Sequence, residues 1–305
     1  MKPKVFIDGK EGTTGLQIYD YLELRLDIEL MLISENKRKD PHERSKFLNE
    51  ADIVFLCLPD DAAKEAVSMV KNPNTKIIDA STAHRVADGW VYGLPELSIN
   101  QPEVIASSKR VSNCGCHALG AILLIRPLIE KGIIDSNFPI SITSITGYSG
   151  GGKNMINNYN NNKTSDMFSP RFYSTGQKHK HLPEITKYSL LSVPPIFCPI
   201  VDDYYAGIQT IIPLPGLDPK QVYNVLSKHY FNQRFISVLP FTQDDTILES
   251  ARIVDSNRVE ISVHGQNKRC VVTARFDNLG KGAAGTAIQN MNIMLSLPED
   301  SGLKG

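Results

Sequence analysis

Lys4-Val5-Phe6-Ile7-Asp8-Gly9-Lys10-Glu11-Gly12-Thr13-Thr14-Gly15-Leu16 runs from a short apolar segment through three glycines at three-residue spacing into a helical pattern. Residues 5–8 are expected to form a strand and 14–24 a helix. A glycine turn between them suits phosphate binding at a helix N-terminus. Gly9 and Gly15 shape the turn, Gly12 lets the backbone approach a pyrophosphate, and Thr13 and Thr14 offer hydroxyls. The spacing differs from G-x-G-x-x-G, so a tight βα turn without a ligand is the competing reading. Further apolar runs at 28–33, 51–58 and 76–79, with a helical pattern at 61–70, extend the alternation. Near-continuous apolar strands joined by helices predict an α/β fold with a Rossmann-type, doubly wound parallel sheet.

The second strand ends in Ile33-Ser34-Glu35 and is followed by Lys37-Arg38-Lys39. A NAD site places an acid at the end of that strand. A hydroxyl with clustered cations instead suits a 2′-phosphate, so the expected cofactor is NADP, with Ser34 and Arg38 among its ligands.

Beyond a helical run at 118–131 the pattern changes. Residues 140–146, 207–213, 234–239, 252–264 and 269–276 read as strands of a largely antiparallel or mixed sheet, an α+β arrangement. The glycine- and asparagine-rich stretch 150–163 reads as a flexible loop or lid. Residues 278–296 are glycine-rich, then strongly helical, and are expected to pack back on the first domain. This gives a cofactor-binding domain of 1–115 with 278–305 and a catalytic domain of 116–277.

The 305 residues carry 33 Lys plus Arg against 33 Asp plus Glu, so no global field recruits nucleic acid or a membrane surface. No apolar run reaches membrane-spanning length and no signal-peptide pattern is present. Five cysteines, an odd number, argue for reduced thiols and a cytoplasmic protein. Cys114 and Cys116 are too closely spaced for an ordinary zinc pair, and no metal site is expected.

The chemistry centres on Ser112-Asn113-Cys114-Gly115-Cys116-His117, where a β-like run turns into an apolar helix. First-turn amides stabilise a thiolate there, and a thiolate can attack a carbonyl carbon to form a thioester. Cys116 is the candidate nucleophile; Cys114 is a rival that spacing does not exclude. His179-Lys180-His181-Leu182-Pro183-Glu184 supplies two imidazoles, which share a face if this run is a strand, and Pro183-Glu184 then starts a helix. Either histidine could serve as general acid or base. Arg85 can grip an anion, whereas His84 reads as structural.

Together these blocks resemble the N-acetyl-γ-glutamyl-phosphate reductases of arginine biosynthesis in their shorter form. The likeness includes the glycine turn, Cys57-Leu58-Pro59-Asp60-Asp61-Ala62-Ala63-Lys64-Glu65-Ala66, Asp79-Ala80-Ser81-Thr82-Ala83-His84-Arg85, Gly147-Tyr148-Ser149-Gly150-Gly151-Gly152-Lys153, the histidine run, and Asp277-Asn278-Leu279-Gly280-Lys281-Gly282-Ala283. The family's nucleophile lies in Asn-Pro-Gly-Cys-Tyr-Pro-Thr-Gly, whereas this chain reads Asn113-Cys114-Gly115-Cys116-His117-Ala118-Leu119-Gly120. The resemblance therefore ranks Cys116 above Cys114, with His117 an unexpected imidazole beside the thiol.

The resemblance further implies that the second domain also dimerises, giving a homodimer or homotetramer acting on a small-molecule acyl phosphate. It implies a thioester on Cys116, Arg85 clamping the departing phosphate, and His181 or His179 moving the proton with Glu184 orienting it. Asn113 and Ser149 would line the substrate site. Ser81, Asn278, Lys281 and Gly282 would approach the cofactor. The rival readings are an aspartate-semialdehyde dehydrogenase and a catalytically silent NADP-binding sensor.

Overall fold

The computed structural model describes residues 2–305. Its contacts divide the chain into two units, one running to Cys114 and resuming over Ala283–Leu303, the other comprising Gly115–Gly282 with Lys304–Gly305.

In the first unit the elements are β1 (Lys4–Asp8), α1 (Thr13–Leu22), β2 (Glu29–Met31), α2 (Pro41–Glu50), β3 (Ile53–Leu56), α3 (Asp60–Met69), β4 (Lys76–Asp79), β5 (Val91–Gly93), α4 (Gln101–Ser107) and β6 (Arg110–Asn113). Among the described residues the strands form one parallel sheet in the order β2-β1-β3-β4-β6-β5. Strand alternation fills both faces. Val5, Ile7, Ile53 and Phe55 join one core with Ile18, Leu22, Ile288 and Met291, while Phe6, Val54 and Leu56 join another with Leu48, Ala63 and Ala66. The first core is closed by the returning helix Gly285–Met294, the second by α2 and α3. Each of the Val, Ile, Leu, Phe and Met side chains removed from water contributes about 1.5–3 kcal/mol, which accounts for the near-continuous apolar strands. The sheet is the doubly wound one expected.

The second unit contains α5 (Cys116–Glu130), β7 (Ser141–Gly147), α6 (Gly152–Asn161), β8 (Arg171–Phe172), α7 (Leu182–Tyr188), β9 (Ile196–Asp202), β10 (Ile208–Pro215), α8 (Pro219–Tyr230), β11 (Ile236–Val238), β12 (Val259–Gln266) and β13 (Arg269–Phe276). Its mixed sheet has the order β11-β12-β13-β10-β7-β9-β8, with β7–β9 and β11–β12 parallel and the remaining pairs antiparallel. Helices α5 and α8 pack on this sheet.

Several local expectations are corrected. Residues 150–163 are not a loop: a 3-10 turn over Tyr148–Gly151 leads into α6, and Tyr148 stacks on Tyr159 at 4.4 Å. An i, i+4 amide pair, Asn161 Nδ2 to Asn157 Oδ1 at 2.9 Å, also lies along this helix. The run 179–181 is a turn that ends at α7 rather than a strand, and Pro183 lies in the first turn of that helix. Residues 252–258 precede the strand that begins at Val259. Helix α2 was not read from the sequence because it is polar; Asp40 caps it by accepting from His42 N at 2.8 Å, and Pro41 starts it.

The domain boundary assigned at 278 also shifts. Asn278 accepts from Gly207 N at 2.7 Å and donates to Ser149 Oγ at 3.0 Å, which ties it into the second unit. Lys304 is held there as well, its carbonyl accepting from Asn257 N at 2.6 Å.

Candidate functional site

The first unit carries the features of a dinucleotide cradle. Gly9 has φ +88°, and a Cβ there would lie 2.4 Å from Cys57 O, so neither backbone nor space admits a side chain. Gly12 is the N-terminal flank of α1, which has no side-chain cap, so first-turn N–H groups remain for a phosphate. Thr13 Oγ1 is buried with no hydrogen-bond partner among the described residues. An orphaned hydroxyl at an uncapped helix mouth fits a pyrophosphate. Beside it lies a cavity of about 430 Å³ whose lining includes Gly9, Ile33, Glu35, Arg38, Lys39 and Arg44. Ser34 and Arg38 are exposed at the end of the second strand. Lys37 turns away to Glu43 at 2.8 Å, so of the 37–39 cluster Arg38 and Lys39 line the cavity, with Lys10 also in its wall. Arg44, missed in the sequence reading, adds a guanidinium held by Asp8 at 2.9 Å; it sits on the unpredicted helix α2.

At the ends of β4 and β6 the polar groups are bound to one another. The buried Asp79 accepts from Ser81 N at 2.9 Å and Ser81 Oγ at 2.8 Å and meets His84 Nδ1 at 2.6 Å. His84 also stacks on Trp90 at 4.1 Å. Arg85 is buried, with Nε on Asn113 O at 3.1 Å and Nη2 on Ala80 O at 3.4 Å. The Asn113 amide accepts from Asn290 Nδ2 at 3.0 Å and donates to Ala283 O at 2.9 Å. Arg85 and Asn113 thus brace each other and the strand end that leads to the cysteines.

In the second unit Cys116 is the first residue of the 15-residue helix α5 and is partly accessible, whereas Cys114 is 2% exposed. Accessibility and the helix N-terminus together favour Cys116 as the reactive thiol. Gly115 N donates to the buried carboxylate of Glu184 at 3.1 Å, so Glu184 anchors the entry to α5. Gly282 lies so close that a Cβ there would be 2.9 Å from Cys116 Cβ.

The imidazoles gather in the same unit. His179 and His181 lie with ring centres 4.8 Å apart, and each is within 5.6 Å of the His117 ring. His179 Nδ1 accepts from His181 N at 3.2 Å, which puts the proton of the neutral ring on Nε2. The two meet through a turn rather than a strand face. His117 is 3% exposed, and its Nδ1 and Nε2 lie 2.7 Å from Ser144 Oγ and 2.9 Å from Tyr173 Oη. Burial, then the neighbouring His179 and Lys180 charges, push His117 down to about 3, so it is neutral. Burial and the Cys116 charge push Tyr173 up, so its phenol stays protonated.

Asn278 reaches Ser149 and Gly207 as described, and Lys281 is fully buried with Nζ 5.3 Å from the Phe235 ring centre. Tyr173 and Ser144 were not found from the sequence, since neither carries a motif or spacing signal. Among the described residues no cluster of three or more His, Cys, Asp or Glu could hold a metal, and no helix is long and apolar enough to cross a membrane.

Residues 33–107 match the family described as semialdehyde dehydrogenase, NAD binding domain, and residues 116–278 that described as semialdehyde dehydrogenase, dimerisation domain. The chain is 46% identical to N-acetyl-gamma-glutamyl-phosphate reductase 2 of Nostoc sp., with 99% of each chain covered. The chain belongs to the N-acetyl-gamma-glutamyl-phosphate reductases. Another member, from Chelativorans sp., is 44% identical, covering 97% of this chain and 99% of its own. The family's fold is shared more widely. Aspartate semialdehyde dehydrogenase II of Vibrio cholerae superposes with TM-score 0.75 at 16% identity, covering 97% of this chain and 99% of its own. The enzyme of Candida albicans, solved with NADP, has TM-score 0.66 at 16% identity over 97% and 99% of the two chains.

Proposed function

We propose that the protein catalyses the NADPH-dependent reductive dephosphorylation of N-acetyl-γ-glutamyl phosphate to N-acetyl-L-glutamate 5-semialdehyde and phosphate, a step of L-arginine biosynthesis. The observation that carries this reading is Cys116 at the start of α5, in one unit with the paired imidazoles of His179 and His181. The Cys116 thiolate attacks the γ-carbonyl carbon; a C–S bond forms, the bond from carbon to the phosphate oxygen breaks, and phosphate leaves with the electron pair. NADPH, when bound, supplies the hydride that reduces the resulting thioester to the aldehyde level. As the C–S bond then breaks, the sulfur takes back the electron pair and is again a thiolate.

His181 is assigned the proton transfers to and from the carbonyl oxygen, because the His179 Nδ1 lone pair already accepts from the His181 backbone. Glu184 holds the helix entry through Gly115, and Ser149, fixed by Asn278, lines the substrate site. Arg85 is assigned the phosphate of the substrate, and Asn113, which Arg85 braces, is assigned to substrate binding. The cofactor would be held by Gly9, Gly12, Thr13, Thr14 and Gly15 at the pyrophosphate, and by Ser34 and Arg38 at the 2′-phosphate. Ser81, Asn278, Lys281 and Gly282 are assigned to its nicotinamide half. The free state of all five cysteines suits a reducing cytoplasm. A homodimer or homotetramer is the proposed assembly.

The test is phosphate-dependent reduction of NADP with N-acetylglutamate semialdehyde, run beside aspartate semialdehyde. Turnover with the first substrate and not the second supports the proposal. The reverse preference assigns the chain to the aspartate enzyme. No turnover with either, with NADPH binding intact, makes it a sensor.

A further inference from the structure

His117 stands where the family motif has tyrosine, one residue after the nucleophile, and it is tied at both nitrogens. Ser144 Oγ lies 2.7 Å from Nδ1 and, on its other side, 3.4 Å from Thr210 Oγ1. Tyr173 Oη lies 2.9 Å from Nε2, and the same phenol feels the charge of Cys116. A neutral imidazole carries one N–H, so the direction of this chain decides what the phenol can do. If Ser144 donates to Nδ1, then Nε2–H donates to the Tyr173 oxygen and leaves the Tyr173 O–H for another acceptor. If the direction is reversed, the Tyr173 proton is spent on Nε2. The Thr210 hydroxyl beside Ser144 offers a donor at the far end, which favours the first direction.

We propose that His117 is a positioning residue: through Ser144 on one side and Tyr173 on the other, it turns the Tyr173 hydroxyl toward the Cys116 sulfur as a hydrogen-bond donor. The phenol then stabilises the thiolate by a charge-assisted bond, which is stronger than a neutral one. The inference deepens the proposed function, because it takes Cys116 as the reacting thiol. Besides Tyr173, the titratable and charged groups in this region are His179, Lys180 and His181 from the turn before α7 and Glu184 from α7 itself. All four stay in place in the variants below.

The experiment is the pH profile of iodoacetamide alkylation at Cys116, located by mass spectrometry, in the full chain without substrate or cofactor. Loss of one such bond raises the alkylation midpoint by on the order of one pH unit. We expect that rise for Tyr173→Phe and for His117→Phe, with no further rise in the double variant. His117→Gln, which keeps an N–H donor near the position of Nε2, should titrate like the unaltered protein. A Tyr173→Phe profile that superposes on the unaltered one overturns the proposal. So does a faster thiol in His117→Phe, the result of the reversed direction, or additive rises in the double variant. Should His117→Phe fail to fold, Tyr173→Phe and His117→Gln decide alone: a midpoint raised in the first and restored in the second upholds it, and any other pairing rejects it. Alkylation needs no acyl phosphate, so a failed turnover assay and a failed positioning role give different results.

Discussion

Gly282→Ala adds a single methyl group beside Cys116, the proposed nucleophile. The new Cβ would stand 2.9 Å from Cys116 Cβ and 3.1 Å from Asp277 O. Carbon atoms sit comfortably at about 3.5–4.0 Å, so a gap of roughly 0.6 Å or more must open. Gly282 is not among the residues of positive φ, so the backbone accepts alanine and the effect is steric. Neither side yields readily. Cys116 begins a helix most of whose residues are buried, and Gly282 N is held by Asp277 O at 2.8 Å. Overpacking of this kind costs about 1–3 kcal/mol of stability. A thiol displaced by a substantial part of an ångström loses rate on the order of a hundredfold. Steady-state kinetics should therefore show kcat lowered by roughly that factor, with NADPH affinity followed separately by fluorescence titration. Gly176→Ala, where nothing lies within 4 Å of the added Cβ, should behave like the unaltered enzyme. Normal kcat in folded Gly282→Ala would refute the argument. Normal kcat with weakened NADPH binding would return Gly282 to the purely cofactor-binding role that the sequence suggested.

Cys116→Ser should abolish turnover and keep NADPH affinity, whereas Cys114→Ala should retain most activity; reversed results would move the nucleophile to Cys114. Arg38→Ala should raise the Michaelis constant for NADPH with little effect on NADH, narrowing the preference between them; equal use of both cofactors by the unaltered enzyme contradicts the 2′-phosphate assignment. Glu184→Ala leaves the buried Gly115 N–H without its acceptor and should cost about 1–3 kcal/mol in denaturant unfolding, with Glu184→Gln milder because its amide oxygen still accepts. His117 titrates near 6.5 when unfolded and about 3 when folded, so its contribution is complete above pH 6.5 and is lost as pH falls toward 3. The slope is about 1.4 kcal/mol per pH unit in that window, and unfolding curves of His117→Gln should lack this component.

Much of the fold was legible because its signals are local. The near-continuous apolar runs of β1 and β3, the glycine turn and the helical pattern of α1 are each contained within a few residues, so the doubly wound sheet follows from pattern alone. Cys116 was likewise marked by its own neighbours, a strand before it and a helix after it. Helix α2 was not legible, since it is polar and its cap, Asp40, resembles any loop aspartate. Residues 150–163 misled for a related reason. Their glycines and asparagines lack an apolar stripe, yet the Tyr148–Tyr159 stack lies along the helix they form.

The sequence by itself determined the parallel, doubly wound class of the cofactor unit and marked Cys116 as the candidate thiol. Tertiary structure alone decided the company that residue keeps. His117 meets Ser144 and Tyr173 across 27 and 56 positions, and Glu184 reaches Gly115 across 69. The same holds for Gly282 against Cys116 and for Arg85 against Asn113. Periodicity and propensity are properties of short windows. Which buried hydroxyl, carboxylate or glycine faces a thiol depends on how strands from distant parts of the chain are ordered in the sheet, and every polar group buried by that packing must find its partner there.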